Sequence, residues 1–314
     1  MHNDVTENKA NMKRRAESEG EVKKKIAPAL VLIAGVCWGA IGIFTKNIAV
    51  FGVASMQVTM LRALLTAVIM LVVLAAVRPS LLRIRLRDLW MFLGTGICSI
   101  VFFNTCYFAA IEETSMAVAS ILLYTAPGIV LVFSVFLFHE KLNMRKILAL
   151  LLAFFGCITV SGVFSGSENA VSLKGFLLGL GAGLGYALYT VFGSFALKKY
   201  SPITVTVYTF LIAAVSTLPF TRPQEVMKTA VEHPSMLIYG VLLAVVSTIV
   251  PFLAYTVALQ YMEAGKASIM ASVEPIAASL AGILVFGERL TVSVVGGLVL
   301  VFAAVILLNS KVKD

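Results

Sequence analysis

Glu274, in SVEPIAAS, and Arg62, in TMLRALLT, are ionisable side chains set inside long apolar stretches. In such surroundings a charge costs several kcal/mol unless it is paired, hydrated or neutralised, so each needs a reason to be there. A carboxyl group there can exchange a proton or hold a cationic group. It can also stand as a neutral acid bonded to a neighbouring helix, locking a bundle. Arg62 can hold a substrate carboxylate, pair with Glu274, or extend its head group to the nearer aqueous interface; the last is the cheapest and is the expectation here.

A second set combines aromatic rings with polar tips: Trp38, Asn104, Tyr107, Tyr124, Tyr186, Tyr189 and Tyr255. Together they suit the wall of a cavity that accepts amphipathic molecules; singly, each is accounted for by packing or interfacial anchoring. Ser120 and Ser268 can donate hydrogen bonds or simply let helices approach. Pro127 and Pro275 cannot donate to the carbonyls of Leu123 and Ala271. They are expected to kink two helices, as hinges beside the site or as packing devices.

Other chemistries fit poorly. The three histidines, His2, His139 and His233, fall outside the apolar stretches, so a buried hydrolytic pair or metal site is not expected. The four cysteines (Cys37, Cys98, Cys106, Cys157) lie within apolar runs without a CxxC spacing and read as small buried side chains. Gly175, Gly179 and Gly183, with Gly181 and Gly185, form a small-residue packing face in an apolar stretch. No Lys-Ser/Thr follows them, so they do not form a nucleotide phosphate loop. No catalytic residue, metal or cofactor is predicted, and the chain is not expected to be an enzyme.

The elements that must position these residues follow from composition. Of 314 residues, 60% are hydrophobic and 13% charged, and mean hydropathy is +0.96. A soluble domain carries about 25% charged residues, so neither a soluble fold nor a disordered chain is compatible. Ten apolar segments are each long enough to span a bilayer: 27–46, 55–77, 88–110, 115–138, 145–163, 173–197, 202–220, 236–259, 266–286 and 291–309. They lack strand alternation, and backbone groups in lipid must be satisfied internally, so they are predicted to be helices. Residues 1–26 are polar and charged and are expected to form a disordered cytoplasmic tail. Outside that tail, twelve Lys/Arg fall on the tail's side of the membrane and five on the other, which predicts both termini in the cytoplasm. The net charge of +9 is thereby topological, and nucleic acid is not an expected partner.

The sequence also repeats itself. At an offset of 148 residues, Gly35 meets Gly183, Trp38 meets Tyr186, Tyr107 meets Tyr255 and Pro127 meets Pro275. Ala119-Ser120-Ile121 meets Ala267-Ser268-Ile269, and Glu140-Lys141-Leu142 meets Glu288-Arg289-Leu290. Between 107 and 142, nine of 36 positions are identical without a gap. Each copy has five segments, 27–163 and 173–309. Because five is odd, the second copy must enter the membrane inverted, an arrangement associated with alternating access around a midplane site.

MASVEPIAASLAGILVFGERLT at 270–291, the Trp38-Gly39 region, Arg62 and the two Pro-centred segments together resemble the EamA-type transporters of the drug/metabolite transporter superfamily. The resemblance spans about 28–309. The first copy departs from the pattern, with His139 where Gly is usual and Ala126 where the second copy has Glu274. The resemblance implies ten helices in a basket around a central cavity, and movement of small metabolites, often amino acids. The resulting expectation is a secondary transporter of the plasma (inner) membrane, with a small-molecule substrate, lipid around it and protons as a candidate coupling ion. Efflux of amphipathic cations or drugs and flipping of a lipid carrier are the alternatives. Glu140 and Glu288 are expected to mark helix ends, capping or pairing with adjacent charges, with a gating ion pair as the lesser reading.

Overall fold

A computed structural model describes residues 21–22, 24–114, 116–160, 172–287 and 291–310. Most of the predicted tail, Glu288 and the C-terminal lysines lie outside the described residues. The helices are α1 (Lys24–Ala49), α2 (Ser55–Val77), α3 (Leu86–Glu113), α4 (Met116–Leu123 and Ala126–Phe138, called α4a and α4b) and α5 (Met144–Val160). They continue as α6 (Leu173–Ala196), α7 (Pro202–Phe220), α8 (Pro234–Ala258), α9 (α9a, Ala264–Ala271; α9b, Glu274–Phe286) and α10 (Val292–Asn309). Among the described residues, nine helices are long and apolar enough to cross a membrane. The remaining segment, α5, has 17 described residues. α1 starts at Lys24, so helix extends into the last residues of the predicted tail.

Helix starts follow local chemistry. Ser172 Oγ accepts from Gly175 N at 3.0 Å, Ser201 Oγ from Thr204 N at 3.2 Å and Thr291 Oγ1 from Val294 N at 3.3 Å, each satisfying an otherwise orphaned donor. Large apolar side chains such as Val72, Phe136, Leu284 and Val299 face outward, as a lipid-facing surface requires. Of the cysteines, Cys106 and Cys157 are buried, whereas Cys98 is exposed and Cys37 partly so. The expectation of four buried thiols is therefore corrected.

The internal repeat is visible in the backbone. α3 widens into a π-helical stretch over Gly94–Val101, and α8 does so over Val245–Ile249. α4 breaks at Tyr124–Thr125 and α9 at Ser272–Val273, positions 148 residues apart. In the breaks Thr125 N donates to Leu122 O and Ser272 N to Ile269 O, one residue tighter than the α-helical pattern. The helix restarts just before each proline, which needs no backbone donor there. The expected kinks are thus full breaks between half-helices. Helix α4b ends on His139 (φ 53°) and α9b on Gly287 (φ 68°), again equivalent positions in a left-handed conformation. The copies pack through equivalent partners, α5 on α10 and α2 on α7, and α3 of the first copy also packs on α6 of the second.

Loops after the even-numbered helices share one end of the bundle, called here the basic end for its Arg and Lys content. There Asp88 accepts from Lys199 Nζ at 2.5 Å and from Tyr200 Oη at 2.8 Å, fastening the start of α3 to the α6–α7 loop.

Candidate functional site

The two helix breaks bring the chemistry to the middle of the bundle. Glu274 is the first residue of α9b, where the unpaired N–H groups of a helix start favour a carboxylate. Tyr186 Oη on α6 donates to Glu274 Oε2 at 2.8 Å. Tyr186 is the repeat equivalent of Trp38, and the two rings meet edge-on at 6.3 Å. Trp38 also packs against Phe252 at 5.2 Å and Tyr255 at 5.4 Å. The phenol oxygens of Tyr189 and Tyr255 are bonded to Thr256 (2.7 Å) and Thr190 (2.9 Å), which fixes their rings.

These side chains enclose a cavity of about 80 Å³ lined by residues of both repeats, with Arg62 and Glu274 in the same wall set. Arg62 is buried and lines this cavity. The expectation that it reaches for the aqueous interface is corrected: the residue is buried and borders the cavity that Glu274 also lines. Two buried donors at the cavity, Trp38 Nε1 and Arg62 Nε, have no hydrogen-bond partner among the described residues. Unsatisfied buried donors are rare in folded proteins, and here both belong to residues that border the cavity.

Other expected residues sort by position. Tyr124, Pro127 and Ser268 line a gap of about 10 Å³ at the helix breaks, which shares Tyr186 and Glu274 with the larger cavity. Pro275 lies one residue inside α9b. Asn104 donates to Ile100 O (2.7 Å) and accepts from Thr59 (3.3 Å), tying α2 to α3 rather than facing either space. Tyr107 bonds Ser120 at 3.0 Å and stacks on Phe103 at 5.7 Å, one layer behind the wall.

Sequence reasoning missed Phe252, Phe103, Thr190, Ser99, Ile41 and Ile100 as lining residues. Helical spacing carried the signal: Phe252 precedes Tyr255 by three residues, Ile41 follows Trp38 by three, and Phe103 precedes Tyr107 by four.

Glycines let the outer helices press on the breaks. A Cβ on Gly39 of α1 would stand 2.5 Å from Ala277 Cβ and 2.8 Å from Glu274 O. A Cβ on Gly183 of α6 would stand 2.6 Å from Thr125 Oγ1 and 3.0 Å from Leu122 O. α1 therefore seats the break of α9, and α6 that of α4.

Comparison with known proteins agrees with this geometry. A solved crystal structure has the same fold, with a TM-score of 0.75 over 91% of this chain and 96% of its own, at 16% identity. An uncharacterized transporter of Archaeoglobus fulgidus is 30% identical over 279 residues, covering 89% of this chain and 94% of the relative. The uncharacterized inner membrane transporter YicL of Salmonella typhimurium is 25% identical over 285 residues, covering 89% and 93%. The pattern of the EamA-like transporter family matches twice, at residues 25–162 and 173–310, once for each copy of the repeat. The chain belongs to the EamA-like transporter family.

Proposed function

We propose that this membrane transporter is a secondary transporter of the plasma membrane, with both termini in the cytoplasm. It moves a small amphipathic metabolite, for which an amino acid is one candidate, through the cavity between its repeats by alternating access. The observation that carries this reading is a cavity walled by Trp38, Tyr186, Tyr189 and Tyr255 that holds both a carboxyl group, Glu274, and a guanidinium, Arg62. Rings receive the apolar part of a ligand, and the two charges receive groups of opposite sign. At about 80 Å³ the cavity is smaller than the 300 Å³ or more of a typical ligand site, so its walls must part to admit a substrate. The breaks just before Pro127 and Pro275 supply the hinges.

Glu274 is assigned to coupling. Its hydrogen bond from Tyr186 ties its charge state to α6, so gain or loss of a proton there alters a contact between elements of one repeat. Efflux of amphipathic cations is the second reading, favoured by a carboxyl group among aromatic rings. Arg62 in the same wall opposes it, because a bare cation would meet a like charge.

The test is a thermal-shift screen of the purified protein against metabolites, followed by flux of the hits in liposomes. Stabilisation and saturable flux by zwitterionic or amphipathic metabolites are expected. Failure of a broad metabolite panel, with stabilisation only by lipophilic cations, would transfer the assignment to the second reading.

A further inference from the structure

The half-helix α9a lies between the central site and a second, wider cavity at the basic end. Ala264, its first residue, lines that outer cavity of about 470 Å³ together with Glu140, Lys198, Gln260 and Glu263. Its other end, with Ser268, Ala271 and Ser272, lines the small gap that reaches Glu274. One eight-residue helix is thus a wall of both spaces.

That helix is held by the other repeat. Glu140, just past the end of α4b, accepts from Ala264 N at 2.7 Å and from Gly265 N at 3.3 Å. A carboxylate from the first copy therefore caps the helix start of the second, where the N–H dipoles favour it. Lys146 of α5 bridges the contact, 3.3 Å from Glu140 and 2.8 Å from Glu263. Its Nζ also donates to Lys141 O at 3.0 Å. The side chains of Lys146 and Glu140 are only 4% and 8% exposed, so solvent screens this contact weakly. At the opposite end, contacts between the copies include Lys174 with Glu113, 2.6 Å apart with Lys174 72% exposed, an exposed pair that contributes little, and Gln57 Nε2, which donates to Thr221 O at 3.1 Å and Glu225 Oε2 at 3.3 Å. The sequence of α9a, AGKASIMA, is rich in small residues, and Gly265 lets it lie close to Leu131 of α4b. Small residues of this kind let helix backbones approach closely.

We infer that α9a is the gate of the basic end and that Glu140, locked by Lys146, is its clasp: the central site opens toward that end only when Glu140 releases the N–H groups of Ala264 and Gly265. The inference rests on the alternating-access reading, but its test needs no substrate. The full chain in membrane vesicles, with Cys37 and Cys98 replaced by Ala, carries Ser268→Cys as a reporter, a position 2% exposed. A membrane-impermeant maleimide is applied to the basic-end face and the modification rate is measured. Glu140→Gln and Glu140→Ala are expected to raise the rate about tenfold or more, the factor that loss of a charge-assisted hydrogen bond implies. Lys146→Met raises it less, Glu140→Asp, which keeps the charge, gives an intermediate rate, and Lys174→Met leaves it unchanged. An unchanged rate in the Glu140 variants overturns the clasp, as does an equal rise when reagent is applied to the opposite face. If the metabolite panel fails while labelling responds as expected, the clasp stands and the substrate assignment falls. If metabolites bind and labelling does not respond, the reverse holds.

Discussion

If Arg62 and Glu274 compensate each other across the cavity, removing one charge should cost more than removing both. Both residues border the same space. Glu274→Gln keeps an acceptor for Tyr186 Oη, so the 2.8 Å hydrogen bond survives in neutral form at a loss of about 1 kcal/mol. It also removes the carboxyl group that shares the cavity with the buried guanidinium, and the loss of a contacting buried pair, about 3–5 kcal/mol, is the upper bound on that cost. Arg62→Leu costs less, because a lone carboxyl group can be neutralised by a proton. The double variant, Arg62→Leu with Glu274→Gln, removes the uncompensated charge altogether. It is predicted to be more stable than Glu274→Gln alone by about 2–3 kcal/mol, which makes the coupling between the two sites larger still by the cost of Arg62→Leu. At about 2 °C per kcal/mol, the low end of the range for smaller chains, the double variant should melt about 4–6 °C above Glu274→Gln. Melting of the four proteins in one detergent gives the cycle directly. If the two single effects simply add, the residues do not share a compensated site and the electrostatic account of the cavity is wrong.

Further outcomes follow from individual contacts. His139→Gly should raise the melting temperature, because His139 holds φ 53° where its repeat equivalent is Gly287 at φ 68°; relief of about 1 kcal/mol is expected, and an unchanged or lower melting point would refute the strain. Gly39→Ala should cost several °C of melting temperature and ligand binding, since its Cβ would lie 2.7 Å from Ala278 N and 2.8 Å from Glu274 O; wild-type behaviour would refute the close seating of α1 on the α9 break. In liposomes, Glu274→Gln should abolish uptake driven by a pH gradient while leaving substrate exchange measurable, and gradient-driven uptake at wild-type rate would remove Glu274 from coupling.

Much of the fold was legible because lipid leaves the chain few options. Apolar length marked the helices, and the 148-residue offset located their equivalents, including the paired prolines Pro127 and Pro275, whose expected kinks are breaks at Tyr124–Thr125 and Ser272–Val273. The aromatic part of the site was legible where a ring carried a polar tip, as with Tyr186 and Tyr255. Phe252 was not, since nothing but its helical register distinguishes it from other phenylalanines. Arg62 was misplaced because its position along the chain gives depth in the membrane but not direction around the helix axis. Asn104 was taken for a lining residue for the same reason. The capping of α9a by Glu140 joins residues 124 positions apart, and only the tertiary arrangement reveals it.

Whether the space between the copies faces both aqueous phases in turn can be measured at Ser99, which is buried and lines the central cavity. A cysteine there, in a background without Cys37 and Cys98, is treated with an impermeant thiol reagent from each side of the membrane separately, with and without a stabilising ligand. The account predicts modification from either side and protection by ligand from both. Modification from one side alone, with no change on adding ligand, would contradict it.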